Sequence, residues 1–261
     1  MAAYAALDVT HIPWIHVNSW LQCATTIRVS QTAQIRVSTK KPDEATREHR
    51  CFPVQCTATY NGAMSISPWL VLVIGFALGS IPFGVLMGKL RGVDLQSTGS
   101  GNIGATNAIR SMGKGPGIIV FILDALKGAV PVLIAKAAHT EPSWFVYAGL
   151  LAIVGHIFSP WVRFKGGKGA ATGLGVLFGL DLPLALGTFV LFIITFIVSG
   201  KRVSVGSMVA ALGQAAAVWF LPERTLAEKL LCTAIAVFIL VRHKDNIVRL
   251  IKGEEKPLDL K

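Results

Sequence analysis

Residues Ser97 to Arg110 read S-T-G-S-G-N-I-G-A-T-N-A-I-R, and the setting of this stretch decides the fold. It lies between two apolar runs, 68–88 and 116–138, each near the roughly 20 residues that cross a bilayer as a helix. Glycine-rich polar backbone beside hydrocarbon leaves N–H and C=O groups unpaired unless it lines a wet or protein-walled site. The stretch therefore reads as a polar island at the membrane surface. The chain around it is expected to be all-α, a polytopic transmembrane helical bundle with short interfacial loops on one side.

The rest of the chain supports that class. Of 261 residues, 52% are hydrophobic and only 15% are charged, a balance foreign to ordinary soluble domains. The formal net charge of +11 would suggest nucleic acid in a soluble protein. Here the basic residues flank apolar runs, so membrane topology is the simpler cause and no nucleic-acid partner is expected. Further spans are predicted over 143–162, 183–199 and 203–221. Weaker ones fall at 170–182, which is short and glycine-bearing, and at 226–242, which opens with Glu228 and Lys229. That gives seven spans, with five or six as the alternative.

Seven spans with the N-terminus outside sort the charges sharply. One side takes Lys89, Arg91, Arg110, Lys114, Arg163, Lys165, Lys168, Lys201, Arg202, Arg242, Lys244, Arg249, Lys252, Lys256 and Lys261, while the other, after Met64, takes Lys136, Arg224 and Lys229. The richer side is expected to be cytoplasmic, the C-terminus with it.

Residues 1–63 differ in kind: polar, mixed, without a signal-peptide pattern or a long apolar run. They read as a poorly ordered extension or a start-site artefact, because Met64 opens M-S-I-S-P-W-L-V like a natural start. The membrane domain is then 64–261. Cys23, Cys51, Cys56 and Cys232 imply no pairing, and no zinc spacing is met. No metal or cofactor is expected.

Within the spans, Asp124 and Lys127 stand three residues apart, on one helix face, where they can neutralise each other. They read as a structural pair or as a contact to substrate. His156, late in the third span, reads as a packing residue or as a catalytic one.

Three polar islands fall on the basic side. In the first, Gly99, Gly101 and Gly104 satisfy G-x-G-x-x-G, but no βαβ unit surrounds them, so the dinucleotide reading fails. What remains is a backbone able to turn N–H groups inward, the hydroxyls and amides of Ser100, Asn102, Thr106 and Asn107, and the planar fork of Arg110. The second, R-F-K-G-G-K-G-A-A-T at 163–172, is not a Walker loop. Gly166, Gly167 and Gly169 around Lys168, at a helix start with Thr172, still give a cation, a dipole end and N–H groups in one place. The third runs from Arg242 to Glu254; on a continuing helix His243, Asn246 and Arg249 follow at i, i+3 and i+6, with His243 and Asn246 to one side. Taken alone it also fits a basic amphipathic tail on anionic lipid.

Together these pieces resemble the bacterial acyl-phosphate:glycerol-3-phosphate acyltransferases, the PlsY type. The matching stretches are S-G-N-I-G-A-T-N-A-I-R at 100–110, L-D-A-L-K-G at 123–128, G-H-I-F at 155–158, F-K-G-G-K-G-A-A-T at 164–172 and R-H-K-D-N-I-V-R-L-I-K-G-E-E-K at 242–256. Ser159-Pro160 departs slightly from the Pro-Val pairing common there. The resemblance implies a multi-pass enzyme of the bacterial inner membrane that moves a fatty acyl group from acyl phosphate to the 1-hydroxyl of glycerol 3-phosphate, giving lysophosphatidic acid and inorganic phosphate. It carries over Ser100, Arg110, Lys168, His243 and Asn246 as the functional set. Asn102, Thr106 and Asn107 accompany Ser100; Gly166, Gly167, Gly169 and Thr172 accompany Lys168.

The residues read alone agree: two phosphate-bearing substrates require two cradles, and a greasy donor requires a membrane. Against a carrier, which also uses broken helices, the polar residues gather at one interface and no repeat relates the two halves. A lipid-binding scaffold is the third reading.

Overall fold

A computed structural model describes residues 67–138 and 140–259; the extension read over 1–63 lies outside them. Among the described residues every regular element is helical, as composition and hydropathy require.

The first apolar run is not one rod. Helix α1 (Pro68–Ser80) stops at Ile81 and Pro82, and α2 (Phe83–Leu90) continues beyond the break. Pro82 has no N–H to give the helix ladder, so carbonyls near it need other partners. The buried Lys127 ammonium donates to the Ile81 carbonyl at 2.7 Å. Ser159 Oγ donates to the Ser80 carbonyl at 2.5 Å, and Trp161 Nε1 to Ser80 Oγ at 3.0 Å. Other elements thus take up the broken helix's polar groups, the condition for such a break at membrane depth.

After the first island come α3 (Ala105–Met112) and the long α4 (Lys114–Ala137), which carries Asp124 and Lys127. Their side chains are buried and pair at 2.8 Å. Next stand α5 (Pro142–Ile157), a 3-10 turn over Pro160–Val162, α6 (Ala170–Leu180), α7 (Leu182–Val198), α8 (Val203–Phe220), α9 (Leu226–Arg242) and α10 (Lys244–Ile251).

Among the described residues four segments are long and apolar enough to cross a membrane: Pro68–Leu90, Lys114–Ala137, Pro142–Val162 and Val203–Phe220. Ala170–Leu180 and Leu182–Val198 are apolar but shorter. In lipid, helices associate through close packing of small residues. The α4–α6 contact shows why: a Cβ on Gly175 would stand 1.8 Å from the Ala125 carbonyl oxygen. Val176, Leu177, Ile153, Ile157, Ile235 and Ile239 fill the core where α5, α6 and α9 meet. Trp69, Trp144 and Tyr147 pack edge to face, with centroids 5.3 and 6.0 Å apart, as aromatic anchors do at a membrane surface.

Candidate active site

The first island is folded by one amide. Asn107, buried on α3, accepts the Ser100 N–H on Oδ1 at 2.9 Å and donates from Nδ2 to the carbonyls of Leu95 (3.1 Å) and Thr98 (3.0 Å). Both amide protons are spent, so Asn107 shapes the loop that presents Ser100. Asn102 Oδ1 accepts the Gly104 N–H at 2.9 Å, steadying the turn into α3. Arg110, one and a half turns on, is exposed and extends Nη2 to the Lys256 carbonyl at 2.9 Å.

The second island corrects a sequence expectation. The N–H groups of Gly166 and Gly167 do not face a ligand; they donate to the carbonyls of Ile157 (3.0 Å) and His156 (3.2 Å) at the end of α5. Their own carbonyls accept from Arg242, Gly166 from Nη2 at 2.9 Å and Gly167 from Nε at 3.3 Å. The two glycines are required because the strand of loop lies against His156: a Cβ on Gly167 would stand 2.2 Å from its ring Nε2. Thr172 is fully buried on α6 and also lies off the cavity wall. Gly166 and Gly167 therefore hold the loop that carries Lys168 from behind, and Thr172 packs against Gly128 of α4. Gly169, Ala170 and Ala171 do reach the cavity. The first turn of α6 presents N–H groups that a helix cannot pair internally, at the positive end of its dipole.

The third island breaks at its histidine: α9 ends at Arg242, and α10 begins at Lys244. His243 Nδ1 lies 2.7 Å from the Ile239 carbonyl, which can only accept, so Nδ1 carries the proton and Nε2 is left as the acceptor. Burial first, and the nearby Lys168 cation next, lower His243 to about 4. At neutral pH it is an uncharged imidazole.

Lys168 donates from Nζ to Asn246 Oδ1. Asn246 Nδ2 passes the chain on to Glu255 Oε1 at 2.6 Å, which also accepts from Ser204 Oγ at 2.6 Å. The other Glu255 oxygen pairs with Arg249 Nε at 2.8 Å. Burial tends to raise the Glu255 carboxyl, but the Ser204, Arg249 and Asn246 donors outweigh it and its pKa is lowered. Burial lowers Lys168 to about 8, although the Glu255 charge pulls the other way.

Glu255 was not among the expected site residues. It belongs to a C-terminal tail folded back over the site, tied down by Arg202 Nε on the Glu255 carbonyl (3.1 Å) and by the Leu258 N–H on the Lys201 carbonyl (2.8 Å). Its sequence signal was weak: two adjacent glutamates after a basic helix, with nothing to tell Glu254 from Glu255.

Ser100, Arg110, Lys168, His243 and Asn246 line one cavity of about 390 Å³, together with Asn102, Thr106, Asn107 and Gly169. Three segments far apart in sequence thus converge. One end of the cavity is basic and hydrogen-bonding. Its walls along α6 to α9 are apolar, with Leu174, Leu177, Phe189, Phe192, Ala210 and Ile235 among them. Asp124 and His156 reach the wall as well, His156 Nδ1 lying 3.8 Å from Asp124 Oδ1. Such a chamber suits a molecule with an anionic head and a hydrocarbon tail.

Comparisons with known proteins point to the same chemistry. The sequence pattern described as glycerol-3-phosphate acyltransferase matches residues 69–253. A protein named glycerol-3-phosphate acyltransferase 1 from Deinococcus radiodurans is 40% identical over 195 residues, covering 75% of this chain and 98% of that protein. A glycerol-3-phosphate acyltransferase from Geotalea daltonii is 44% identical over 190 residues, 71% of this chain and 95% of that one. Among solved structures, PlsY, an integral membrane glycerol 3-phosphate acyltransferase, in its glycerol 3-phosphate form superposes with a TM-score of 0.71 at 36% identity, over 74% of this chain and 96% of that one. Its lysophosphatidic acid form gives 0.69 at 35% identity, over 75% and 97%.

Proposed function

The chain belongs to the glycerol-3-phosphate acyltransferase family, and from that premise we propose that it transfers a fatty acyl group from acyl phosphate to the 1-hydroxyl of glycerol 3-phosphate. The products are lysophosphatidic acid and inorganic phosphate. One observation carries the reading: the functional side chains of three remote segments share a single cavity, cationic at one end and apolar along its length.

In this reading Arg110 and Ser100 hold the phosphate of glycerol 3-phosphate, because a guanidinium fork offers two parallel donors to one phosphate. Lys168 and the first turn of α6 take the acyl phosphate, where a cation and backbone N–H groups offset charge growing on the carbonyl oxygen and on the departing phosphate. His243 Nε2 accepts the hydrogen of the attacking hydroxyl and aims its oxygen at the acyl carbon, with Asn246 steadying the constellation. The hydroxyl oxygen bonds to that carbon as the carbon–oxygen bond to phosphate breaks. The bonding pair leaves with the phosphate; as the attacking oxygen turns oxonium-like its hydrogen swings from Nε2 to a substrate phosphate oxygen, which takes the proton. An imidazole with a pKa of about 4 orients well but is a poor base, since efficient bases lie near the working pH. No acyl-enzyme on Ser100 is invoked, because the sequence places no base beside it.

The activity is assigned to residues 64–261, with 1–63 as an extension. In this reading the domain has seven spans and lies in a bacterial inner membrane. The basic loops and C-terminus face the cytoplasm, by the excess of lysine and arginine on that side. The test is acyl transfer by purified protein in detergent, where transport has no sealed compartment to act on. Glycerol 3-phosphate is supplied with acyl phosphate, or separately with acyl-CoA or acylated carrier protein. Lysophosphatidic acid and phosphate from acyl phosphate alone are expected; turnover with either thioester alone would overturn the donor assignment.

A further inference from the structure

The apolar part of the cavity has a direction. On α8 its wall is made by Ser204, Ser207, Ala210, Ala211 and Gln214, one face of the helix. Ser204 marks the polar end through its bond to Glu255. At 1.5 Å per residue, Gln214 lies about 15 Å further along. Between the two, the neighbouring α9 contributes Ile235 and Ile239, so apart from the Ser207 hydroxyl this stretch of wall is apolar until it meets one amide.

That amide is held in place. Gln214 is buried, its Nε2 donating to the Cys232 carbonyl of α9 at 2.8 Å, and among the described residues no donor reaches its Oε1. Thr188, another polar group on the wall, is already engaged with the Leu184 carbonyl at 2.7 Å. An alkyl chain can slide along the alanines and isoleucines without disturbing a hydrogen bond. To pass Gln214 it must swing the amide aside, stripping Nε2 and the Cys232 carbonyl of their shared bond. The freed groups then stay in an apolar setting, a costly exchange. Beyond Gln214, the links at this end of the helices are joined by the Asp181–Arg224 ion pair at 2.6 Å.

We propose that Gln214 is the chain-length stop of the acyl site, setting the longest acyl group that the enzyme transfers efficiently. The proposal rests on the acyltransferase reading above. It makes Gln214 a specificity residue, remote from the reacting carbonyl.

The experiment uses the full-length purified protein with a homologous series of saturated acyl phosphates that lengthens two carbons at a time, reading kcat/KM for each. The unsubstituted protein is expected to show one abrupt fall of about tenfold in a single step, the scale on which a pocket rejects one group too many. Gln214→Met, similar in length and without the amide, should move that step to a longer donor. The long-to-short ratio of kcat/KM should rise about tenfold. Gln214→Ala, which clears the space altogether, should move it at least as far.

A flat profile in the unsubstituted protein overturns the proposal without any variant. So does an unchanged step in folded Gln214→Met and Gln214→Ala. Lack of product from every acyl phosphate would be a different failure, that of the donor assignment, and would take the stop down with it.

Discussion

Asn246 and Glu255, nine residues apart across the turn that follows α10, share a 2.6 Å hydrogen bond beneath Lys168. The tail carboxylate thereby fixes the amide that holds the Lys168 ammonium. Removing Glu255 leaves Asn246, Ser204 and Arg249 without their common partner. Glu255→Ala is expected to destabilise the protein by about 3 kcal/mol, the scale of several orphaned buried donors. Glu255→Gln has one acceptor oxygen, so it keeps either the Ser204 and Asn246 bonds or the Arg249 bond and turns its NH2 toward the other side; it should cost about 2 kcal/mol, less than the alanine. Thermal unfolding in detergent, ranked native, Gln, Ala, checks the order.

The lysine itself sets a pH limit. Lys168 is lowered to about 8 by burial, and its work in the proposed reaction needs the ammonium. The fraction protonated falls as pH rises through that value, so kcat/KM should decline above about pH 8. His243 is lowered to about 4 and is useful uncharged, so its acid limb lies near that value and activity should be level between the two. A bound acyl phosphate favours the ammonium, so the basic limb of kcat should lie higher than that of kcat/KM, which reports the free enzyme. Lys168→Ala should lower kcat/KM by roughly 100- to 1,000-fold, as loss of one oxyanion donor does, and remove the limb near 8. A basic limb that survives the substitution belongs to another group.

Arg110 tests the second cradle. Its guanidinium already reaches the Lys256 carbonyl at 2.9 Å, so it is poised over the cavity without being locked in an ion pair there. Arg110→Ala should reduce kcat/KM for glycerol 3-phosphate by roughly 100-fold, the worth of charge-assisted bonds to one phosphate. Arg110→Lys should recover little, because a point charge does not reproduce the fork. Saturation kinetics in glycerol 3-phosphate at fixed acyl phosphate distinguish the two substrates. A change confined to the KM of the donor would reverse the assignment of the cradles.

How much of this could be read from the chain follows from what each feature depends on. That Ser100, Lys168 and His243 act together came from the family resemblance; the helical class and the polar islands were legible. They rest on local hydropathy and on charge placement, which are properties of contiguous residues. The break at Ile81 and Pro82 was passed over, since proline is common in membrane helices and only the Lys127 contact 46 residues away shows the break being used. The roles of Gly166 and Gly167 were misread for a related reason. A glycine-rich loop before a helix looks alike whether its N–H groups await a phosphate or are spent on α5. Glu255 and Gln214 were missed because each acts through a contact that sequence spacing does not encode. One closes a tail over the site, and the other lies within an apolar run.

The loop glycines give the sharpest steric prediction. A methyl group on Gly167 would stand 2.2 Å from His156 Nε2 and 2.8 Å from its Cε1. The ring is buried on α5, and at that distance something must shift: either the ring turns toward the cavity whose wall it reaches or the loop moves. Motion of the loop would pull at both Arg242 bonds and carry Lys168 away from Asn246. Gly167→Ala is therefore expected to cost about 1–3 kcal/mol of stability, as overpacking does, and to lower kcat more than it raises KM, because the displaced ammonium serves the transition state. Gly187 on α7 is the matched control: a Cβ there meets nothing within 4 Å, and Gly187→Ala should be neutral or stabilising by about 0.5–1 kcal/mol, the helix preference of alanine over glycine. Melting temperature and initial rates on the two variants separate the cases. If Gly167→Ala matched Gly187→Ala in both, the packing of this loop against His156 would not be what positions Lys168.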